Sequence, residues 1–481
     1  MSLSVRETGL HVLNMQTRMR FRYGIASLVA VPHLFVRLEA DIDGAREVGL
    51  AADGLPPKWF TKYPATSFSD DLDEMLAVIR QACALTEEAP PADSVFAFWH
   101  RLHEQQEAWA AETGYPPLLW GFGVSLVERA LIDAFCRSTG TPFARALCDD
   151  SLGIELGAIH PELAGFSPAE LLPAEPQRSV IVRHTVGLSD PLTDEEIPAE
   201  ERVDDGLPQS LAASIRSYGL THFKILISGD AAADLTRLRQ VASAVEEHVS
   251  GDYAFTLDGS EQYTEVEPFR QAWEAIRAEP TLHEFLDHLL FVEQPLRRDM
   301  ALSPEAKAEL RAWSDRPPLI IDESDGTLSS VVAALDGGYV GASFKNCKGV
   351  FGGIANACLL AKRRRGDPGG YYVQSSEDLA SVGPVSMLQD LAVLASLGIE
   401  HSQRNGHHYF AGLSMFPADV QADVLAKHAT LYRRHDRGYP VLDVREGRLD
   451  TGSVVAAPFG YGVELDTRRF TPLEQWTVES L

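Results

Sequence analysis

The sequence is short of positive charge, of cysteine and of long apolar runs. Its 481 residues carry 42 Lys and Arg against 69 Asp and Glu, a formal net charge of -27 at pH 7. Nucleic acid and anionic membrane surfaces are both bound through basic patches, so this balance argues against either as a partner. It leaves room for an anionic small molecule, because a bound divalent cation reverses the field locally. The cysteines, Cys83, Cys136, Cys148, Cys347 and Cys358, are odd in number and scattered, with no CxxC pair. They are expected as small core residues in a reducing compartment rather than as a disulfide framework. No apolar stretch is long enough to span a bilayer, and the N-terminus has no apolar h-region, so a cytoplasmic setting is expected. What is present is an ordinary hydrophobic fraction of 45% in a chain long enough for a large core and two domains.

Residues 4–62 read as antiparallel β, with a turn at residues 41–44 and a glycine-punctuated loop over residues 49–54. Helices are expected over residues 71–84, 95–111 and 124–137; in the last, Val124, Val127, Leu131, Ala134 and Phe135 share one face. Residues 160–177 are proline-rich and irregular, which suits a linker. A strand is expected at residues 180–185, followed by an acidic insertion over residues 188–208 that reads as a solvated loop or as a lid. The second strand is residues 222–227, the seventh residues 371–374 and the eighth residues 399–402.

Between the second and seventh lie four short apolar runs, each ending in a polar residue. Phe255-Thr256-Leu257 runs into Asp258-Gly259, and Leu289-Leu290-Phe291-Val292 into Glu293-Gln294-Pro295. Leu319-Ile320-Ile321 runs into Asp322-Glu323-Ser324, and Ala342-Ser343-Phe344 into Lys345-Asn346-Cys347-Lys348. A buried run stopped by a polar cluster is a core strand of a parallel sheet, and helix-like segments between the runs make these βα units. Taken singly, Asp258-Gly259 is a common turn, Glu293 a helix cap and Asp322 an N-cap. Taken together, carboxylates on neighbouring strands about 4.8 Å apart converge on one ion, and Mg²⁺ takes such hard oxygens. Alternation puts Ser343 and Lys345 on one face and Phe344 on the other, so Lys345 points into the barrel mouth as a base or pairs with a carboxylate. Burial beside a cation would depress its pKa.

Three strand-end carboxylates followed by a strand-end lysine resemble the metal site and base of the enolase superfamily. The wording around Pro295, Glu323-Ser324 and Lys345 is similar to the muconate-lactonizing and dipeptide-epimerase branch of the mandelate racemase/muconate lactonizing enzymes. Residues 125–148 resemble the helix that closes the capping domain there, and the β-rich tail resembles the segment that completes it.

The resemblance implies an α/β fold, a (β/α)7β TIM-like barrel over about residues 178–437. Around it would stand an α+β capping domain from residues 1–150 and about 438–481, with residues 151–177 as linker. It implies a Mg²⁺-dependent lyase or isomerase that abstracts the α-proton of a small-molecule carboxylate substrate to give an enediolate. Asp258, Glu293 and Asp322 would hold the metal, and Lys345 would be the base. A homo-oligomer is expected. His222, Lys348 and His401 are candidate substrate contacts, with capping loops over residues 20–26 and 50–59 choosing the substrate.

One departure stands out. Where the branch carries Lys-x-Lys on its second strand, this chain reads His222-Phe223-Lys224-Ile225-Leu226. Either Lys224 is the second catalytic lysine, or Leu226 stands in its place; the apolar-then-glycine ending follows Leu226 and favours the second register. The broken pair also leaves a non-catalytic metal- or ligand-binding relative as the alternative. Arg183, His184 and residues 375–378 are lesser candidates: the last lines the site or merely caps a helix. The adjacent His407 and His408 lack the ligand spacing of a zinc site.

Overall fold

A computed structural model describes every residue except Gly24, which lies within the expected capping loop at residues 20–26 and outside the described residues. The N-terminal strands Leu3–Tyr23, Ala26–Ile42 and Ala45–Gly54 form an antiparallel sheet. Residues 49–54, expected as loop, are strand, because they pair with Ala26–Ile42 from Leu38↔Gly49 to His33↔Gly54. The glycine has a packing reason instead. A Cβ on Gly49 would stand 1.9 Å from the carbonyl oxygen of Ala130, so only glycine lets the helix Pro117–Thr139 cross the sheet this closely.

That helix starts seven residues before its expected first turn, with proline at its first position, where the missing N–H costs nothing. It is buried on nearly every face rather than on one, since sheet, helix Phe68–Glu88 and barrel all pack on it. Its Glu128 reaches across to accept hydrogen bonds from the Val350 and Phe351 N–H groups, at 3.0 and 2.6 Å, where a barrel helix begins.

Eight parallel strands close the barrel, as expected: Ser179–Val186, His222–Leu226, Ala254–Asp258, Leu289–Glu293, Leu319–Ile321, Gly341–Phe344, Val373–Ser376 and His401–Gln403. Closure is the parallel pairing of His401, Ser402 and Gln403 with Ile181, Val182 and Arg183. The seventh strand lies two residues beyond its expected start and ends at Ser376, which puts Glu377 just past its end. The eighth is likewise displaced.

The tail divides its contacts. Arg448–Asp450 adds an antiparallel strand to the first barrel strand. Residues 454–466 bridge the capping helices and the barrel helix Ser386–Leu397: Tyr461 donates to Asp133 Oδ2 at 2.6 Å, and Gly460 lies against Leu388. Pairing with the first capping strand falls further on, at His11↔Pro472 and Val12↔Thr471. No helix among the described residues is long and apolar enough to cross a membrane.

Candidate active site at the strand ends

The C-terminal ends of the barrel strands and the capping hairpin enclose one cavity. Barrel geometry places active-site groups on that face, because loops vary there without disturbing the sheet. Register decides which side chains reach it. Leu226 stands opposite Asp258 in the uppermost layer, whereas Lys224 stands opposite Thr256, one layer deeper. Lys224 extends upward from there. Its Nζ donates to Glu377 Oε1 and lies 2.9 Å from Asp258 Oδ2 and 3.2 Å from Glu293 Oε2.

Lys345 is 2% exposed, with Nζ 2.6 Å from Asp322 Oδ2 and 2.8 Å from Glu377 Oε2. The Trp59 ring, carried by the second capping segment, has its centre 5.1 Å from that nitrogen. Arg183 completes the cluster at 3.2 Å from Glu377 Oε1. Lys348 lies below. It donates to the carbonyl oxygens of Asp322 and Ser343, both at 2.7 Å, and sits 2.8 Å from Asp322 Oδ1. It therefore holds Asp322 in place and does not line the cavity.

The charges couple strongly. Burial works against the Lys345 ammonium, yet Asp322, Glu377 and Glu293 outweigh it and hold Lys345 well above its ordinary range. The expected depression is therefore not a property of the polypeptide's own charges. Lys224 is raised for the same reason, burial being outweighed by Asp258, Glu293 and Glu377. Burial and the neighbouring Glu377 charge push Glu293 well up. Glu377 is held low against its burial by Lys224 and Lys345. Burial and the Asp322 charge raise Glu323 to about 8.

Oxygens of Glu293, Asp322 and Glu377 lie within 4.8 Å of one another, the one such group among the described residues. Asp258 does not join it, being drawn to Lys224 and to the Ser260 N–H at 2.7 Å. Glu293 is wholly buried, and its Oε1 has no hydrogen-bond partner. A buried carboxylate oxygen left alone is costly, and hard oxygens at this spacing suit a divalent cation such as Mg²⁺. The residues fit that ion.

The loops holding them are strained. Ser260, Glu261, Gln294 and Ala380 adopt positive φ without being glycine, each within three residues of Asp258, Glu293 or Glu377. Such strain persists only where surroundings enforce it. Gln294 shows how: its Oε1 accepts from Asp322 N at 2.7 Å, and its Nε2 donates to Ser324 Oγ at 2.8 Å, locking the fourth strand end to the fifth.

Two expected substrate contacts lie elsewhere. His222 and His401 begin their strands, at the opposite end of the barrel, with ring centres 5.5 Å apart and Arg183 Nη1 2.8 Å from His401 Nδ1. Neither lines the cavity. His184, His407 and His408 form a separate buried group, with ring centres 6.2 and 4.8 Å from His184. The acidic insertion does not line the cavity either. Instead, Arg18 of the first capping strand grips it, through Asp205 Oδ2 at 2.6 Å, Asp205 Oδ1 at 2.8 Å and the Leu207 carbonyl oxygen at 2.9 Å.

No protein-family model matches the chain, and no curated protein matches it in sequence. Solved structures match along nearly its whole length. One is a muconate lactonizing enzyme from Pseudomonas fluorescens complexed with muconolactone, at TM-score 0.59 and 15% identity over 97% of this chain and 98% of that one. Another is a mandelate racemase/muconate lactonizing protein from Herpetosiphon aurantiacus, at TM-score 0.58 and 16% identity over 96% and 99%. The fold is that of the enolase superfamily. A Bradyrhizobium enolase complexed with magnesium and mandelic acid shares it too, at TM-score 0.55 and 13% identity over 93% of each chain. At such identities the likeness is one of fold, and the chemistry rests on the residues described above.

Proposed function

We propose that the protein is a Mg²⁺-dependent lyase or isomerase that removes the α-proton of a carboxylate substrate to give an enediolate. The observation that carries this is the buried lysine–carboxylate cluster at adjoining strand ends, with Lys345 Nζ 2.6 Å from Asp322 and the Glu293, Asp322 and Glu377 oxygens gathered within 4.8 Å. The shared fold, including that of the magnesium-complexed Bradyrhizobium structure, supports it. Asp258, Glu293 and Asp322 would hold the ion, with Glu377 beside the last two. When bound, it supplies positive charge that stabilises the enediolate and offsets the carboxylates around Lys345.

Lys345 is the base. Nζ takes the α-proton once it is neutral, and the Trp59 face above it keeps that end of the cavity dry. Lys224 serves differently: one layer down and surrounded by Asp258, Glu293 and Glu377, it supplies fixed positive charge. Leu226, level with Asp258 and lining the cavity, would face Lys345 across the substrate, and it carries no proton. Returning a proton to the opposite face needs a second acid, so elimination or cycloisomerisation is favoured over racemisation.

The test is α-proton exchange in D₂O. Exchange of one enantiomer only, lost in Lys345→Ala, is expected. Exchange of both, one lost in Lys224→Ala and the other in Lys345→Ala, would make Lys224 a second base. A second reading, a non-catalytic metal- or ligand-binding relative, is favoured by Lys224 already neutralising three carboxylates. It predicts tight metal binding with no exchange of any carboxylate.

A further inference from the structure

The wall facing the charged cluster differs from it in kind. Cross-strand pairs of the capping hairpin, Met15 with Val31 and Phe21 with Leu28, form one side. Leu379 and Phe410, from the loops after the seventh and eighth barrel strands, form the other. Met15, Val31, Leu28 and Phe410 are each at most 4% exposed, so this is core-like surface around an interior space.

The buried cations around the cavity are already paired, and Arg22, 45% exposed, makes only an exposed pair. Lys58 is 3.0 Å from Asp71, Lys62 is 3.1 Å from Glu261, and Arg22 is 3.3 Å from Glu201. Lys224 and Lys345 belong to the carboxylate cluster. A second substrate carboxylate held among the buried groups would therefore meet no unpaired cation, since Arg22 offers its charge only from an exposed pair, and an unpaired buried charge is among the costliest arrangements a site can hold. A string of hydroxyls fares little better against Met15, Phe21, Leu28 and Val31, since each would be stripped of water without replacement.

Two neutral side chains lining the cavity keep a buried polar atom without a partner, His33 Nε2 on the hairpin and Gln403 Oε1 at the end of the eighth strand. Gln403 is 4% exposed, and its Nε2 donates to Thr185 Oγ1 at 2.8 Å, which leaves the other end of the amide without a partner. A buried amide half-satisfied by the protein is a place for one neutral ligand group.

We propose that the substrate is a monocarboxylate whose remainder is apolar and uncharged, with a neutral hydrogen-bonding group that meets Gln403. The proposal rests on the carboxylate reading of the charged cluster. It separates this site from one built for a dicarboxylate or a polyhydroxy acid.

Calorimetric binding to the Mg²⁺-loaded protein tests it with three probes: N-acetylleucine, cis,cis-muconate and gluconate. N-acetylleucine should bind about tenfold or more tightly than the other two, with Kd below about 1 mM. Leu28→Gln and Val31→Thr, each checked for an unchanged melting temperature, should erode that preference while Mg²⁺ affinity stays the same. Gln403→Leu should weaken N-acetylleucine alone. Equal or tighter binding of muconate or gluconate, or no measurable binding of N-acetylleucine, overturns the proposal. A preference that neither capping variant alters overturns it as well. Binding of N-acetylleucine without proton exchange in any carboxylate would leave this inference standing and remove the proposed reaction. Exchange in gluconate alone would do the reverse.

Discussion

The barrel half of the cavity and the capping half are built on opposite terms. At the strand ends, Lys224, Lys345 and Arg183 face Asp258, Glu293, Asp322 and Glu377 in a space nearly closed to water. A group there owes its position to its neighbours' charge, and removing one leaves others buried and unpaired. Across the cavity, the hairpin offers Met15, Phe21, Leu28 and Val31, where changes trade only packing and desolvation. Under the proposed function, the difference gives chemistry to the barrel and selection to the cap. It also says where a mutation should abolish activity and where it should redirect it.

The largest effect should come from Lys345→Ala. Loss of a general base lowers turnover by about 10²–10⁴-fold. Single-turnover exchange in D₂O should show that loss with Mg²⁺ affinity retained; loss of both together would mean that Lys345 only organises the carboxylates. Next in size, Glu293→Gln should abolish tight Mn²⁺ or Mg²⁺ binding measured by calorimetry. Asp258→Asn and Glu377→Gln then decide which of the two completes the set. Weakening in Asp258→Asn, with little change in Glu377→Gln, is expected.

Arg18→Met tests the joint between the halves. It breaks a buried pair and strands Asp205, at a cost of about 3–5 kcal/mol in a denaturant melt. Because Arg18 braces the hairpin that carries Phe21 and Tyr23, KM should rise more than kcat falls. A fall in kcat alone would contradict the division of labour.

The smallest effect is one of pH. Burial lowers His33 of the cap to about 3 and His184 of the barrel to about 4, so both are neutral in the folded protein. Below the unfolded value of about 6.5 the unfolded chain binds more protons, and stability falls with falling pH. Each histidine contributes a slope of about 1.4 kcal/mol per pH unit between about 6.5 and its folded value. His184→Asn should remove one such slope. Melts at pH 7, 6 and 5 that are parallel for the parent and the variant would show that His184 is not buried neutral.

Strands were legible where the sheet is apolar. Phe255-Thr256-Leu257 and Leu319-Ile320-Ile321 are short buried runs, and a strand covered on both faces has little else it can be. The seventh strand misleads for the converse reason. The apolar pair Tyr371-Tyr372 lies outside it, Tyr371 being 46% exposed, whereas the strand ends in Ser375-Ser376. These serines belong inside because Arg183 bonds Ser375 Oγ at 2.8 Å and Ser402 bonds Ser376 Oγ at 3.0 Å. A two-residue slip preserves the facing of each side chain but moves the strand's end. For that reason Glu377 read as a loop residue, although it receives Lys224, Lys345 and Arg183. The signal was its place just past a strand end, shared with Asp322 and Lys345.

The sequence by itself determined the alternation of strands and helices, the inward facing of Lys224, Lys345 and Leu226, and the surplus of carboxylates at the strand ends. Those follow from local periodicity and from what stops a buried run. Only the tertiary structure decided that Leu226, not Lys224, stands level with Asp258, and that His222 and His401 meet at the far end of the barrel. It alone showed that the protein's own carboxylates raise Lys345. Register between strands, and the sum of charges around one buried nitrogen, depend on residues brought together from distant parts of the chain. No stretch of sequence contains them at once.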